Sequence, residues 1–289
     1  MPLLRWTARP RGPHLPQGER VPALTAATTP LEDDLALGEL TLLGAHPAAS
    51  NLAVVGTVER DGRRTLVVYK PVQGERPLWD FPDGHLAHRE RAAYLVARTG
   101  GWTCVPVTVL RDGPLGPGSV QEWIGGVEEA APTPVDVTLP TEVPDGSLVV
   151  LAGEDERGRE VVLSHPDEPA LRSLAVLDVV LNSSDRKGGH VLLDERGVHG
   201  IDNGVSLHVE PKLRTVLWGW AGQPLTEPDR ARVESVLRAL EDGSLSCDLT
   251  DLLTPDEIDA LRARCAALLA ASRHPQPGTG WPNVPWPPM

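Results

Sequence analysis

The sequence predicts an α+β fold of two lobes, in which an antiparallel sheet with one helix precedes a mainly helical part. Two observations support this prediction. Short runs rich in β-branched and apolar residues cluster in residues 38–124, and only one long helical pattern, at residues 86–98, interrupts them. Beyond residue 169, apolar residues mostly recur at intervals of three and four, which is typical of helices that pack on one face.

The first lobe, which we place at residues 34–125, contains five predicted strands. Asp61 and Gly62 mark a turn between the second and third runs, so the first three runs are expected to form an antiparallel meander. The predicted helix follows this meander. The five runs are GELTLLG (38–44), NLAVVGTV (51–58), TLVVYK (65–70), VPVTVL (105–110) and SVQEWI (119–124).

The second lobe is placed at residues 126–273. Its first part, residues 126–165, is acidic and Pro-rich with one apolar run, and we interpret it as an insertion or connecting excursion. In the last helix, Thr254 as N-cap with Glu257 three residues later forms a capping box. Helices are predicted at 169–181, 228–241 and 254–272, and short strands at 190–194 and 198–202.

Both ends of the chain are Pro-rich and lack periodicity, so residues 1–33 and 274–289 are predicted to be flexible tails. The net charge of −13 argues against non-specific binding to nucleic acids or anionic membranes. The three cysteines are far apart, which indicates reduced thiols in a cytoplasmic protein rather than a disulfide framework. No run of about 18 apolar residues occurs, so no transmembrane helix is expected.

Lysine is rare in this chain, since only three of the 27 basic residues are lysines. A retained lysine indicates a need for a compact point charge. Lys70 ends the strand-like run TLVVYK, and Glu90 lies on an otherwise apolar stripe of the following helix. Because an unpaired buried charge is costly, Lys70 is the expected partner of Glu90. The alternatives are an exposed lysine at a sheet edge and a surface pair of Glu90 with a neighbouring arginine.

A second cluster of polar residues lies in LNSSDRKGGHVLLDERGVHGIDNG (181–204). Asp185 follows an apolar helix, and Lys187 and His190 come two and five residues later. Asp202 ends the next short strand, so two loops are expected to present these four side chains to one cleft. Two alternatives stay open here. They are ordinary hairpin turns, and a mononuclear metal site that combines His190, His199, Asp202 and His208.

These residue types match the requirements of phosphoryl transfer, which are a cation on the phosphates, metal ligands, and a carboxylate that orients the acceptor. DRKGGH (185–190) followed by GIDNG (200–204) resembles the catalytic and metal-binding loops of the phosphatidylinositol 3-/4-kinase superfamily. Residues 70–97 and 105–124 resemble the first lobe of an uncharacterised actinobacterial family within it. The resemblance covers roughly residues 35–273 and implies a two-lobed protein-kinase-like fold that binds ATP and Mg²⁺ between its lobes.

In the first lobe, the resemblance implies nucleotide-binding roles. Lys70 would contact the α- and β-phosphates, and Glu90 would orient it. Residues 121–124 would form the hinge against adenine, with Gln121 at its start and backbone groups of Glu122 and Ile124 as the contacts. Residues 44–51 lie where a loop would cover the phosphates, which would place Ser50 and Asn51 near them, although the stretch lacks a multi-glycine pattern.

In the second lobe, the resemblance implies the chemical roles. Asp185 would be the catalytic carboxylate, Lys187 would neutralise charge on the transferring phosphoryl group, and Asp202 would be the main metal ligand. The superfamily usually has Asn at the second metal ligand, whereas this chain has His190. Because Mg²⁺ prefers oxygen ligands and imidazole suits softer ions, this departure favours Mn²⁺ or an altered metal site.

The sequence thus predicts an ATP-dependent kinase that phosphorylates a hydroxyl group of an unidentified acceptor. A protein Ser/Thr or a small-molecule alcohol is favoured over a lipid, because no basic membrane-binding helix occurs. The alternative is a catalytically inactive nucleotide-binding regulatory module, which the histidine at position 190 favours.

Overall fold

The computed structural model describes residues 29–46, 51–126, 131–279 and 282–289. The described chain forms two compact units. Unit 1 contains the chain up to Arg91 together with Val107–Trp123, and unit 2 contains Ala92–Pro106 and the chain from Ile124 onward. The predicted division at residue 125 is close to the second boundary. The segment 92–106, which we had placed in the first lobe, belongs to unit 2.

Unit 1 is built on a five-stranded antiparallel sheet with the strand order β1-β2-β3-β5-β4. The β2–β3 connection is a two-residue turn in which Asp61 and Gly62 both have positive φ, as a tight hairpin requires. The strands are β1 (Glu39–Ala45), β2 (Val54–Arg60), β3 (Arg63–Pro71), β4 (Thr108–Gly113) and β5 (Gly116–Glu122). The sheet packs on a core of branched apolar side chains and one tyrosine, namely Leu35, Val54, Val58, Val67, Tyr69, Val109 and Val120.

Two helices belong wholly or partly to unit 1, α1 (Pro30–Leu37) and α2 (Leu86–Gly100). The α1 helix corrects the predicted tail, because its first residues fall inside the segment 1–33. Thr29 and Glu32 form a capping box, and Leu35 is fully buried. The high proline content of the segment led us to overlook the capping box that starts this helix. Residues 1–28 of the predicted tail lie outside the described residues.

The described part of unit 2 contains four further α-helices and two small antiparallel sheets. The predicted excursion at 126–165 contains most of a three-stranded sheet with the order β6-β8-β7. The capping box predicted at Thr254 and Glu257 is confirmed. The strands are β6 (Asp136–Thr138), β7 (Ser147–Glu154), β8 (Glu160–Pro166), β9 (Val191–Asp194) and β10 (Gly197–Gly200). The helices are α3 (Pro169–Leu181), α4 (Glu227–Glu241), α5 (Ser244–Leu249) and α6 (Pro255–Ala271).

The described part of the C-terminal segment is bonded to unit 2, which differs from the predicted flexible tail. The His274 N–H donates to the carbonyl of Gln223 at 2.9 Å, and the Thr215 N–H donates to the carbonyl of Asn283 at 3.0 Å. These backbone bonds, which composition cannot reveal, hold the segment. Among the described residues, no helix has the length and apolarity needed to cross a membrane.

Candidate active site

In unit 1, the side chains of Lys70 and Glu90 form the predicted ion pair. Lys70 lies near the end of β3, opposite Ser119 of β5, and its ammonium group binds the Glu90 carboxylate on α2. The Glu90 side chain is only 2% exposed, whereas that of Lys70 is 24% exposed. A buried carboxylate of this kind holds its partner firmly, because separation would leave a charge without solvation.

The position of α2 depends on contacts that the sequence did not reveal. Arg91, next to Glu90, binds the Glu32 carboxylate of α1 at 3.0 Å and donates to the Thr108 carbonyl at 2.6 Å. At the helix start, a Glu75 oxygen accepts from the Ala87 N–H at 2.8 Å. The α1 helix therefore fixes α2 through a buried ion pair directly beside the Lys70 partner.

The predicted hinge residues are already engaged inside unit 1. The Gln121 side-chain amide donates to the Thr108 hydroxyl at 2.7 Å, and the Glu122 N–H donates to the Val107 carbonyl at 2.9 Å. These bonds hold the end of the sheet, and a contact of this segment with a nucleotide stays a prediction. Ile124 is buried, and it is the first residue of unit 2 after the sheet.

Asn51 is fixed in a loop contact. Its side-chain oxygen accepts from the Arg76 N–H at 2.9 Å, and the neighbouring Leu52 N–H donates to the Gly74 carbonyl at 3.2 Å. Asn51 therefore links the segment before β2 to the chain that follows β3. Residues 47–50, which include Ser50 and half of the predicted phosphate-covering loop, lie outside the described residues.

In unit 2, α3 ends at a left-handed Asn182, and the loop that follows carries Asp185, Lys187 and His190. The Lys187 ammonium nitrogen lies 3.3 Å from a carboxylate oxygen of Asp185. The Asp185 side chain is one-third exposed, so it is accessible to a molecule from solution. The structure thus brings the predicted catalytic carboxylate and the predicted charge-neutralising lysine together.

His190 faces Asp202 across the two loops. Its Nδ1 lies 2.9 Å from the Asp185 carbonyl oxygen, and its Nε2 lies 3.4 Å from a carboxylate oxygen of Asp202. A carbonyl only accepts, so Nδ1 carries the proton in this contact. Burial lowers the pKa of His190 below its usual value, although the Asp202 charge acts in the opposite direction. The neutral ring therefore directs an Nε2 lone pair toward a carboxylate.

This pair fits a divalent cation, because two electron-pair donors face each other and a cation would satisfy both. One imidazole nitrogen and one carboxylate oxygen match Mn²⁺ better than Mg²⁺. Across the described ranges, no group of three or more His, Cys, Asp or Glu side chains is arranged to hold a metal. A metal bound to His190 and Asp202 would therefore take further ligands from phosphate oxygens and water.

The buried Arg186 side chain bonds to α3 and to the loop that carries Asp202, and we call Arg186 with these partners the Arg186 clamp. Sequence analysis missed this role. Its Nε donates to an Asp178 carboxylate oxygen on α3 at 3.0 Å, and a terminal nitrogen donates to the Asn203 side-chain oxygen at 2.6 Å. The other terminal nitrogen donates to the Ile201 carbonyl. A Cβ atom at Gly200 would lie 2.7 Å from a Leu174 methyl carbon and 3.3 Å from the Arg186 guanidinium, so a larger residue here would displace these side chains. The signal that could have revealed this clamp is Asp178, an acid on an apolar helical face.

The alternative four-residue metal site is not assembled. His199 binds Asp194 within the β9–β10 hairpin at 2.8 Å, and the His208 Nδ1 accepts from the Glu210 N–H at 2.9 Å. Burial raises the pKa of Asp194, but hydrogen bonds from His199 and Arg196 outweigh this and lower the pKa to about 2. These two histidines therefore have structural partners other than His190 and Asp202.

A search of protein-family models finds no match. Protein Rv2133c of Mycobacterium tuberculosis is 46% identical over 269 residues, which cover 89% of this chain and 96% of that protein. The chain belongs to the family of this mycobacterial protein. Because 89% of the chain is matched, that relationship extends over both units.

Solved structures with a similar fold are protein-kinase-like. The Golgi casein kinase, in a crystal structure with Mn/ADP bound, matches with a TM-score of 0.52 and 14% identity, over 83% of this chain and 74% of that chain. The Hydra Fam20 structure with sugar matches with a TM-score of 0.47 and 15% identity, over 84% of this chain and 87% of that chain. The predicted kinase-like fold is confirmed, whereas placement in the phosphatidylinositol 3-/4-kinase superfamily stays a prediction.

Proposed function

We propose that this protein is an ATP-dependent phosphotransferase that transfers the γ-phosphate to a hydroxyl group with the help of a divalent metal. The observation that carries the proposal is the arrangement of Asp185, Lys187, His190 and Asp202 on two loops that one buried arginine holds together. These groups sit on a kinase-like fold. Together they offer a carboxylate, a cation and a pair of metal ligands, which phosphoryl transfer requires.

Lys70 is proposed to bind the nucleotide phosphates. An ammonium group is a compact charge with three donors, and the buried Glu90 carboxylate fixes its position on β3. Because the lysine side chain is fixed before the nucleotide binds, less conformational entropy is lost on binding. Glu90 is thus a positioning residue in this proposal, and Lys70 is the group that touches the ligand.

Asp202 and His190 are proposed to hold the metal. A bound divalent ion would neutralise charge on the phosphates. Asp202 supplies a half-exposed carboxylate from a left-handed backbone position, and His190 supplies Nε2 because the Asp185 carbonyl occupies Nδ1. The solved Golgi casein kinase contained manganese and ADP, which supports a nucleotide and a divalent metal for a protein of this fold.

Asp185 is proposed to orient the acceptor hydroxyl and to accept its proton. Its carboxylate is partly exposed, and Lys187 lies 3.3 Å away, where its charge would oppose the charge that develops on the transferring group. The proposed acceptor is a protein Ser/Thr or a small alcohol rather than a lipid. The net charge of −13 supports this preference, because it disfavours anionic membranes.

The test measures ADP release from ATP with Mg²⁺ or Mn²⁺ for the wild type, Asp185→Ala, Asp202→Ala and the control Asp251→Ala. Asp251 is exposed and lies outside both loops. We expect turnover to be lost in Asp202→Ala and strongly reduced in Asp185→Ala, with the wild-type rate in the control. Wild-type rates in both site variants would contradict the proposal.

A nucleotide-binding module without turnover is the second candidate, and His190 at the second metal position is the observation that favours it. This candidate predicts that ATP raises the melting temperature while no labelled phosphate is transferred or released. Thermal stabilisation by ATP reports binding alone. Measurement of both quantities on the same preparation therefore distinguishes the two candidates.

A further inference from the structure

The last residues of the chain contact the loop that carries the proposed catalytic groups. We call residues 282–289 the C-terminal strap. The Gly188 N–H donates to the Pro288 carbonyl of this strap at 2.7 Å. A side chain at Gly188 would overlap the Met289 sulfur, so the strap lies directly against the loop. Gly188 is the residue after Lys187, and it lies three residues after Asp185.

The strap is attached at its other end to the chain that follows Asp202. The Asn283 carbonyl accepts from the Thr215 N–H at 3.0 Å and from the Trp218 indole N–H at 2.8 Å. The Asn283 side chain exchanges two hydrogen bonds with the Gly278 backbone, at 2.9 Å and 2.6 Å. These bonds fix where the strap starts, and the Gly188 bond fixes where it reaches the loop.

The loop needs such a contact because Gly188 and Gly189 have the greatest backbone freedom of any residue type. The Thr133 hydroxyl donates to the Gly188 carbonyl at 2.7 Å, so protein groups hold Gly188 through both its carbonyl and its N–H. The strap supplies the N–H contact. A freely moving Gly188 would let Asp185, Lys187 and His190 change their mutual positions.

We propose that the C-terminal strap is a positioning element that orders the loop of residues 185–190. Loss of its contacts is expected to leave the fold intact and to increase the motion of this loop. The catalytic consequence rests on the proposed function, because it assumes that the loop takes part in phosphoryl transfer. The ordering itself does not depend on that assumption.

The first experiment measures hydrogen exchange of the Gly188 amide in the full chain. Trp218→Phe removes the indole donor and keeps an aromatic ring, Asn283→Ala removes the side-chain bonds to Gly278, and Trp286→Ala changes an exposed strap residue as the control. We expect about tenfold faster exchange in the first two variants, because each loses bonds that hold the strap. Wild-type exchange in both would overturn the proposal. If one variant does not fold, the other decides.

The second experiment measures ATP turnover in the same variants. We expect kcat to fall about fivefold while the KM for ATP stays within about twofold of the wild type, because Lys70 and Glu90 belong to unit 1 and keep their contact. Faster exchange with unchanged kcat would overturn the positioning role. A wild type without turnover would contradict the proposed function instead, and the exchange data would still decide whether the strap orders the loop.

Discussion

The Arg186 guanidinium binds the Asp178 carboxylate at 3.0 Å, and both side chains are fully buried in unit 2. The Thr215 hydroxyl donates to the second Asp178 oxygen at 2.8 Å, so the carboxylate is satisfied on both sides. Through Arg186 this pair connects α3 with the loops that carry His190 and Asp202. The geometry of the candidate metal ligands therefore depends on a buried ion pair, because its guanidinium also bonds to the Ile201 carbonyl and the Asn203 side chain on either side of Asp202.

Asp178→Ala is expected to lower the free energy of unfolding by about 3–5 kcal/mol, because it leaves the Arg186 charge buried without its carboxylate. Asp178→Asn should cost less, since its amide oxygen can still accept from Arg186 and its NH2 group can donate to the Thr215 hydroxyl. Urea unfolding monitored by circular dichroism measures both. The matched control is Asp136→Ala on the exposed start of β6. If Asp178→Ala lowered the free energy of unfolding by less than about 1 kcal/mol, the Asp178–Arg186 pair would not stabilise the fold.

Lys70→Met is expected to lower ATP turnover at least about 100-fold, because the phosphates lose their fixed cation. It should also lower the free energy of unfolding by about 1–3 kcal/mol, because the buried Glu90 carboxylate loses the Lys70 ammonium group. The double variant Lys70→Met with Glu90→Gln should recover part of the stability and none of the turnover. The control is Lys212→Met, which changes a lysine of the second unit. Equal turnover in Lys70→Met and the wild type would exclude the phosphate role.

The sequence sufficed for the Lys70–Glu90 pair and for the two loops because each leaves a local signal. A carboxylate on an apolar helical stripe needs a cation, and the strand before that helix ended in a rare lysine. The Asp185–Lys187–His190 spacing likewise lies within six consecutive residues. The Arg186 clamp was missed because its partners, Asp178 and Asn203, are separated along the chain, and an arginine in a polar loop is usually a surface residue.

The errors of the sequence analysis come from non-local hydrogen bonding. The β6–β8 pairing joins Val137 to Leu163 across an acidic, Pro-rich stretch, so composition concealed the sheet. The bonds that join the C-terminal strap to Gly188 also connect residues about a hundred positions apart, and no local pattern predicts such contacts.

His190→Asn is expected to raise the ratio of turnover with Mg²⁺ to turnover with Mn²⁺. The substitution replaces an imidazole nitrogen, which suits softer ions, with an amide oxygen, which suits Mg²⁺. Initial rates at saturating metal measure this ratio. The matched control is His199→Asn, since His199 binds Asp194 in the neighbouring hairpin. An unchanged ratio in His190→Asn would remove His190 from the metal site.

Acid is expected to destabilise unit 2 through His274. This side chain is 5% exposed, its Nε2 has no hydrogen-bond partner, and its ring lies 6.4 Å from that of Trp220, which also contacts buried His165. Burial lowers the pKa of His274 from its ordinary value of 6.5 to about 4. Burial also lowers the pKa of His165.

The unfolded chain therefore binds a proton at His274 between pH 6.5 and about 4, while the folded chain does not. Above this range the residue has no effect on stability, and below it the free energy of unfolding falls by about 3 kcal/mol. His274→Phe cannot bind that proton, so its free energy of unfolding should fall less between pH 7 and pH 4, with the remainder due partly to His165. Urea unfolding at both pH values measures the difference, with half-exposed His85→Gln as the control. Equal pH dependence in His274→Phe and the wild type would mean that the buried ring does not resist protonation.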